Sequence, residues 1–211
     1  MEQKKGKAFF GGSFDPVHWG HIVMARAALK ELPVDEMTLI PTRLTGYKKR
    51  KLTEDRDRLR MLELAVKGTP GLSVSDMELT VPVEQNYTYC TLERLKERYP
   101  DREIFFLIGG DSLAYLDQWR EPEKLFRLAA FVTAVRGDVD IPRAKELMKK
   151  YEKKFPGARL QLLRTDPPDI SSTEIRMAVR EGKTLKGLVP YGVGQYIRRR
   201  GLYLEPDERT E

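Results

Sequence analysis

Two histidines lie three residues apart in a glycine-rich segment near the start of the chain. His18 and His21 are the only histidines, and they belong to residues 11–21, which read GGSFDPVHWGH. The apolar run 7–10 predicts a buried strand, and the apolar spacing over 19–29 predicts a helix. The histidines are therefore expected at a helix N-terminus, where free N–H groups and the helix dipole favour an anion. With two imidazoles as further donors, this segment is predicted to bind phosphate.

A structural role and a zinc site are the alternatives for these histidines. The structural role stays open, although Gly11 and Gly12 allow the backbone to approach a ligand closely. Zinc needs three or four protein ligands, and the only cysteine, Cys90, is remote in the sequence. We therefore predict no metal held by protein side chains alone.

A second phosphate site is predicted in the C-terminal part of the chain. Residues 171–174 read SSTE and fit a capping box, in which Ser171 caps a helix and Glu174 reaches back. Taken alone, the capping box indicates only a helix start. Arg176 falls in the first turns of that helix, where its side chain could reach an anion held by the N-terminal amides.

Strand-like and helical patterns alternate along the chain, and this alternation predicts the fold class. The predicted strands are 7–10, 37–40, 104–108, 131–135 and 160–163, and the predicted helices are 19–29, 55–66, 91–98, 142–154, one that starts at 171 and one that ends near 200. The order implies an α/β fold, a Rossmann-like doubly wound parallel sheet with helices on both faces. We expect a single domain over 1–204, with a C-terminal helical portion at about 171–204 and a polar tail at 205–211.

Ligands of such sheets bind beyond the carboxyl ends of the strands, where the strand order switches. Four segments follow predicted strands and are expected at that edge: 11–21, 41–48, 109–111 and Arg136.

Length and composition limit the possible classes of protein. A chain of 211 residues with 40% hydrophobic residues can bury one substantial core. The apolar run near residue 8 is too short for a signal peptide, and no stretch is long enough to span a membrane. One cysteine agrees with a reducing compartment. A cytoplasmic protein with no membrane partner is expected.

The net charge of +6 raises the question of a nucleic-acid partner. Basic runs occur at 48–51 and 198–200, but they lack the interleaved aromatic residues of a single-strand binder. The second run falls near a predicted helix end, where cations complement the dipole. We predict no nucleic-acid partner, because a positive field also suits small anionic substrates such as triphosphates and mononucleotides.

The segment GGSFDPVHWGH resembles the first motif of nucleotidyltransferases that join a nucleoside triphosphate to a phosphorylated small molecule. Within that superfamily, the chain resembles the bacterial nicotinate mononucleotide adenylyltransferases. Further matching segments follow in that family's order: IGGDSL at 108–113, DQW at 117–119, DISSTEIR at 169–176, and LVP, YI and GLY between 188 and 203. The matches cover nearly the whole chain.

Two segments depart from that family's pattern. Cys90 stands where the YTxDTL stretch usually has aspartate, although Tyr87, Thr88 and Thr91 match. Residues 41–48 read PTRLTGYK where the family often reads PxxxPPHK, so Lys48 is kept while two prolines and a histidine are replaced. Glycine in place of proline favours a more flexible loop, and tyrosine cannot carry a positive charge as histidine can.

The resemblance implies transfer of AMP from ATP to nicotinate mononucleotide in NAD biosynthesis, with Mg²⁺ accompanying ATP. The implied catalytic residues are His18, His21, Lys48 and Arg176. The implied ATP-binding residues are Gly11, Gly12, Ser13, Phe14, His18, His21, Gly109, Asp111, Arg136, Ile170, Ser171, Ser172 and Arg176. The implied mononucleotide-binding residues are Ser13, Lys48, Tyr87, Thr88 and Trp119. Members of this family often self-associate, so a homo-oligomer is a further expectation.

Two rival functions are considered. Another transferase of the superfamily would use pantetheine phosphate or a polyol phosphate, but Trp119 and the segments 87–92 and 188–203 argue against it. A non-catalytic nucleotide sensor would keep the glycine-rich turn without transfer. The retained His18 and His21 favour an enzyme over a sensor.

Overall fold

A computed structural model describes residues 6–43, 53–82, 86–134 and 137–205, except for the side chains of 137–140. Within these residues, one sheet contains six strands: β1 (Gly6–Gly12), β2 (Val34–Pro41), β3 (Leu72–Val74), β4 (Ile104–Gly109), β5 (Ala130–Ala134) and β6 (Leu160–Leu162). The strand order is β3-β2-β1-β4-β5-β6, and every neighbouring pair is parallel. The chain moves outward in opposite directions from β1 and β4, so the switch point lies between these central strands. The predicted Rossmann-like doubly wound α/β fold is confirmed.

Helices cover both faces of this sheet. They are α1 (Trp19–Glu31), α2 (Asp55–Val66), α3 (Thr88–Arg98), α4 (Gly110–Leu113), α5 (Pro122–Leu128), α6 (Gly137–Lys154), α7 (Ser172–Arg180) and α8 (Tyr191–Arg200), with a 3₁₀ turn at Leu116–Gln118. The sequence did not predict the short elements β3, α4 and α5, and α3 begins at Thr88 rather than at 91. None of the helices in the described part of the chain is long and apolar enough to cross a membrane.

The core lies in two layers, one on each face of the sheet. Neighbouring side chains of β1 alternate between them: Ala8 and Phe10 face one layer, and Phe9 faces the other. The first layer contains apolar residues of α1, α2, α7 and α8, and the second contains those of α3, α5 and α6. Both central strands are therefore buried on their two faces, which explains their nearly continuous apolar sequences.

Polar contacts join α8, in the C-terminal part of the chain, to α2. On α8, the Tyr196 hydroxyl donates a hydrogen bond to Asp57 Oδ1 of α2 at 2.7 Å, and Arg200 Nε lies 3.3 Å from the same oxygen. Gly201 then ends α8 in a left-handed conformation with a φ of 61°, which glycine adopts without steric cost. This stop turns the chain back, so that Tyr203 reaches the turn that follows β1.

Candidate active site

The turn between β1 and α1 lies at the switch point of the sheet, and close packing shapes it. A Cβ on Gly11 would lie 2.6 Å from Phe106 Cζ, and a Cβ on Gly12 would lie 3.0 Å from Phe14 Cζ. Both positions therefore favour glycine. Phe14 is buried and has a φ of 45°, an uncommon conformation for a residue with a side chain. The backbone of this turn is held in one particular shape by its neighbours.

The two histidines meet at the first turn of α1. His18 is the N-cap residue and is only 6% exposed, and its ring centroid lies 3.7 Å from that of His21. The backbone N–H of His18 donates a hydrogen bond to His21 Nδ1 at 3.2 Å. Because Nδ1 accepts this bond, the proton of a neutral His21 lies on Nε2. His21 can therefore donate a hydrogen bond through its distal nitrogen.

Two other parts of the chain lie against the start of α1. The Trp19 N–H donates to the Leu188 carbonyl at 3.1 Å, and a Cβ on Gly20 would lie 3.6 Å from the Pro168 carbonyl oxygen. The first turn of α1 contains no acidic residue. Its positive dipole end is thus free of a competing carboxylate on the same turn, as an anion site requires.

The N-terminus of α7 lies against the same turn, which brings the two predicted phosphate segments together. Ser171 caps α7, and the reciprocal capping box with Glu174 is confirmed. The Ser172 hydroxyl donates to the Pro16 carbonyl at 2.9 Å, which ties α7 to the β1–α1 turn. Ile170, just before the cap, is buried. Helix N-termini of α1 and α7 therefore converge on one edge of the sheet.

Arg176 contacts other parts of the protein, whereas the sequence predicted that its side chain could reach a bound anion. Its side chain is buried, and it donates to the Asp15 carbonyl at 2.9 Å and to Thr173 Oγ1 at 3.2 Å. The guanidinium therefore lies beneath the β1–α1 turn and fixes its backbone. Its positive charge remains next to the proposed phosphate site, in an interior where it is weakly screened.

The remaining predicted ATP residues follow β4 and β5. Gly109 ends β4, and a Cβ placed on it would meet no atom of the described residues within 4 Å. Asp111 is exposed in the first turn of α4. Arg136 and Lys48 both lie outside the described residues, and so do Thr45, Gly46 and Tyr47.

The structure brings the predicted mononucleotide residues of two segments together. Tyr87 is the N-cap residue of α3, Thr88 begins that helix, and Trp119 follows the 3₁₀ turn. Trp119 is partly buried against the second core layer. The link between the segments is Arg120, whose guanidinium lies 4.6 Å from the centre of the Tyr87 ring. A hydrogen bond with Tyr87 also raises the pKa of Arg120.

The tryptophan segment is anchored from below by α6. Lys154 Nζ donates to Asp117 Oδ2 at 3.0 Å, and the buried Tyr151 hydroxyl donates to the Leu113 carbonyl at 2.7 Å. The bond from Lys154 lowers the pKa of Asp117. These contacts fix the backbone of residues 113–117, which leads to Trp119.

Sequence reasoning missed the buried polar residues that support the glycine-rich turn. Asp15 is 1% exposed and accepts hydrogen bonds from the Tyr203 hydroxyl at 2.6 Å and from the Thr53 N–H at 3.2 Å. Burial, followed by the charge of Asp15, raises the pKa of Tyr203 well above its usual value. Arg58 of α2 is fully buried and contacts the same turn. Arg58 stands in the charged stretch DRDRLR, which is typical of a solvated helix face and gives no sign of burial.

Comparisons with known proteins agree with this geometry. The cytidylyltransferase-like sequence family matches residues 9–178. The chain is 37% identical over 199 residues to a probable nicotinate-nucleotide adenylyltransferase of Lachnoclostridium phytofermentans, covering 92% of this chain and 96% of the relative. It is 34% identical over 205 residues to a protein of the same name from Rhodopirellula baltica, with 96% and 95% coverage. The solved Plasmodium falciparum nicotinic acid mononucleotide adenylyltransferase, complexed with NaAD, matches at 26% identity with a TM-score of 0.75, over 94% of this chain and 97% of that one.

A parallel sheet with a GGSFDPVHWGH turn at its switch point, together with the family match, defines a nucleotidyltransferase, and the chain belongs to the cytidylyltransferase-like family. Within that family, its curated relatives place it with the nicotinate-nucleotide adenylyltransferases.

Proposed function

We propose that the protein is a nicotinate mononucleotide adenylyltransferase, which transfers AMP from ATP to nicotinate mononucleotide and releases pyrophosphate. The product is nicotinate adenine dinucleotide, an intermediate of NAD biosynthesis. The observation that carries this proposal is the convergence of the histidine turn and the α7 N-terminus at the switch point, in a chain whose curated relatives bear that enzyme's name.

The chemistry is an in-line displacement at phosphorus. A phosphate oxygen of the mononucleotide attacks the α-phosphorus of ATP, a new P–O bond forms, and the bond to the leaving pyrophosphate breaks. The nucleophile is already an anion, so no covalent enzyme intermediate and no strong base are needed. The enzyme contributes alignment and stabilisation of the charge that builds in the transition state.

The proposed catalytic groups act on the phosphates at the turn after β1. His18 and His21 donate hydrogen bonds to the α- and β-phosphates, and the backbone N–H groups of the glycine turn hold the phosphate chain. Lys48 and Arg176 neutralise the triphosphate and the leaving pyrophosphate. We assign Arg176 this role through its charge, because its guanidinium donates hydrogen bonds to the Asp15 carbonyl and to Thr173 Oγ1.

The rest of the ATP site is proposed along the same edge of the sheet. Its members are Gly11, Gly12, Ser13, Phe14, Gly109, Asp111, Arg136, Ile170, Ser171 and Ser172. Asp111 is exposed and suits the ribose hydroxyls. Within the described residues, the space left beside Gly109 supports a ligand at that point.

The acceptor site is proposed at the start of α3, beside the 3₁₀ turn. The indole of Trp119 stacks on the pyridine ring, and Tyr87 and Thr88 border the ring's carboxylate. Ser13 and Lys48 hold the mononucleotide phosphate. The stacked pair of Arg120 and Tyr87 supports this assignment, since it places a positive charge next to these residues.

Mg²⁺ enters this site as part of the ATP substrate. Among the residues that the structure describes, no group of three or more histidine, cysteine or carboxylate side chains could hold a metal ion. This donor set fits an ion that bridges phosphate oxygens and keeps several waters, which is how Mg²⁺ usually accompanies nucleotides. Its charge would help to neutralise the triphosphate.

The experiment that tests the function is pyrophosphate release by the purified protein with MgATP and one of two acceptors. Release with nicotinate mononucleotide, well above that with nicotinamide mononucleotide, is expected. A preference for phosphopantetheine over both would reject the proposed acceptor, and ATP binding without any transfer would indicate a sensor. Gel filtration with light scattering tests the further proposal of a homo-oligomer, and fractionation of cells tests a cytoplasmic location.

A further inference from the structure

Arg58 is a buried arginine whose hydrogen bonds go mainly to the main chain. It lies on α2 and has no exposed surface. Its Nη1 donates to the Ser13 carbonyl at 2.9 Å, its Nε donates to the Thr53 carbonyl at 3.0 Å, and its Nη2 lies 3.5 Å from the Arg43 carbonyl. The Asp55 carboxylate pairs with the same guanidinium. The side chain thus joins α2 to the glycine-rich turn across 45 residues of sequence.

Burying this cation is expensive unless its donors are satisfied. An arginine removed from water loses much of its favourable solvation free energy, which its hydrogen bonds and its ion pair must offset. The rigid fork of the guanidinium directs separate N–H groups at Ser13 and Thr53, which the single nitrogen of a lysine cannot do. The geometry is therefore specific to arginine, and it fixes the position of the Ser13 carbonyl.

Fixing this carbonyl also fixes the next amide. A trans peptide is planar, and its C=O and N–H point in opposite directions. The cis peptide of this turn is Asp15–Pro16, so the Ser13–Phe14 peptide is trans. Because the Ser13 carbonyl points inward at Arg58, the N–H of Phe14 points away from Arg58. The contact with Arg58 therefore sets the direction of the Phe14 N–H. It does so at a residue whose positive φ is uncommon for a residue with a side chain.

Asp15 and Thr53 reinforce the same arrangement. Thr53 donates its N–H to Asp15 Oδ2 at 3.2 Å while its carbonyl accepts from Arg58, so Thr53 links both sides of the turn. Ser13 and Asp15 are thereby held from the α2 side at two points.

We propose that Arg58 is a positioning residue for nucleotide binding, which orients the Ser13–Phe14 peptide so that the Phe14 N–H faces the ATP phosphates. The inference rests on the proposed function, because it takes the turn after β1 as the phosphate site. Arg58 itself touches no substrate. It acts through the peptide that it holds.

The test compares R58K with Y196F and the wild-type protein. R58K keeps the positive charge beside Asp55 but loses the forked contact. Y196F is the matched control, because it removes a buried hydrogen bond to Asp57, which is next to Arg58 on α2, and leaves the glycine-rich turn untouched. Thermal unfolding is measured for each variant, so that loss of stability and loss of function are separated.

Two readouts report on the peptide itself. MgATP binding is measured by titration calorimetry without acceptor, and hydrogen exchange is measured on peptides that include the Phe14 amide, with and without ATP. We expect R58K to weaken ATP binding and lower kcat/KM for ATP by about tenfold to a hundredfold, as misplacement of a binding group does. We expect ATP to protect the Phe14 amide in the wild-type protein and in Y196F, but much less in R58K.

The opposite results would overturn the proposal. These are ATP binding by R58K within about twofold of wild type, or an equal loss in Y196F at a similar unfolding temperature. If R58K does not fold, R58Q provides the same measurements with a shorter, uncharged side chain that lacks the forked contact to the Ser13 and Thr53 carbonyls, and unchanged ATP binding in R58Q would also overturn it. Failure of the wild-type protein to transfer AMP would reject the proposed function instead, while the ATP-binding comparison would still test Arg58.

Discussion

The two ring nitrogens of His21 have different surroundings, so the role of each nitrogen can be tested with its own variant. Nδ1 accepts from the His18 N–H, so Nε2 is the atom available to a phosphate. In H21N the amide oxygen can replace Nδ1 and keep α1 capped, but the distal donor is lost. We expect H21N to fold as the wild type does and to lose about a hundredfold in kcat, the usual effect of removing one donor to transition-state charge.

H21Q is the companion variant, because its amide nitrogen lies near the position of Nε2. It should keep more of kcat than H21N, even though its link to the His18 N–H is weakened. Steady-state kinetics with MgATP measure both variants. If H21N raised KM for ATP and left kcat unchanged, His21 would stabilise the ground state and the transition state equally, with no additional bond in the transition state.

Gly20 limits the position of the neighbouring His18 ring. A Cβ on Gly20 would lie 3.0 Å from both His18 Cε1 and Nδ1, so in G20A the imidazole must move by a few tenths of an ångström. Gly192 is the matched control: it is also the second residue of its helix, and its Cβ would make an ordinary contact at 3.7 Å with Leu64. We expect G20A to reduce kcat by at least about tenfold, as displacement of a catalytic group does.

G192A should leave kcat unchanged, and it should stabilise α8 by up to about 1 kcal/mol, the difference in helix propensity between glycine and alanine. Enzyme kinetics and denaturant unfolding check both variants. A G20A enzyme with full activity would mean that the His18 ring position is not critical.

At the scale of elements, the capping box of α7 should determine how firmly that helix begins. Ser171 Oγ accepts from the Glu174 N–H at 3.2 Å and donates to its carboxylate at 2.8 Å. S171A should therefore lower the free energy of unfolding by about 1 kcal/mol, the typical cost of losing a polar N-cap. S171T keeps a hydroxyl cap and should restore most of that loss. Urea unfolding with unchanged m-values measures the difference, and equal stability of S171A and wild type would contradict the role of the cap.

Elements were predictable where a local signal defines them. The strands β1, β2, β4 and β5 are apolar runs, and the capping box at Ser171 indicates the start of α7. These five elements were therefore predicted from the sequence. β3 has only three half-buried residues, Leu72–Val74, and its place at the sheet edge depends on pairing with β2. The start of α3 was missed because Tyr87 caps it without a side-chain hydrogen bond. Short elements and uncapped ends depend on tertiary contacts that local sequence does not encode.

At the scale of the whole molecule, the contacts that support the site join distant parts of the chain. Arg176 meets Asp15 across 161 residues, and Tyr203 meets Asp15 across 188. The motif residues were found from sequence because their types and spacing suit phosphate. Their buried supports were not. Asp15 and Tyr203 stand in motif segments and Arg58 in a charged stretch, but the contacts that give them a supporting role arise only when the fold places them together.

Glu78 should make the stability of the whole molecule depend on pH. It is buried, accepts a hydrogen bond from Thr91 Oγ1 at 2.7 Å, and its pKa is raised by burial from 4.5 to about 7, although the Thr91 bond and the charges of Arg94 and Arg58 oppose the rise. Between these two values the folded state holds a proton that the unfolded state has lost. The contribution of Glu78 to the free energy of unfolding is therefore greatest below pH 4.5. This contribution falls as the pH rises towards 7.

The size of this fall and its origin can be measured with E78Q, which keeps the acceptor for Thr91 but cannot ionise. The shift from 4.5 to about 7 corresponds to a loss of order 3 kcal/mol, at about 1.4 kcal/mol per pKa unit. Urea unfolding between pH 5 and 8.5 should show E78Q gaining stability over wild type as pH rises, with the difference levelling off above pH 7. E146Q, at an exposed glutamate of α6, is the control and should show no such gain. A constant difference between E78Q and wild type would mean that Glu78 is ionised in the folded protein throughout this range, with its buried charge stabilised by Arg94 and Arg58.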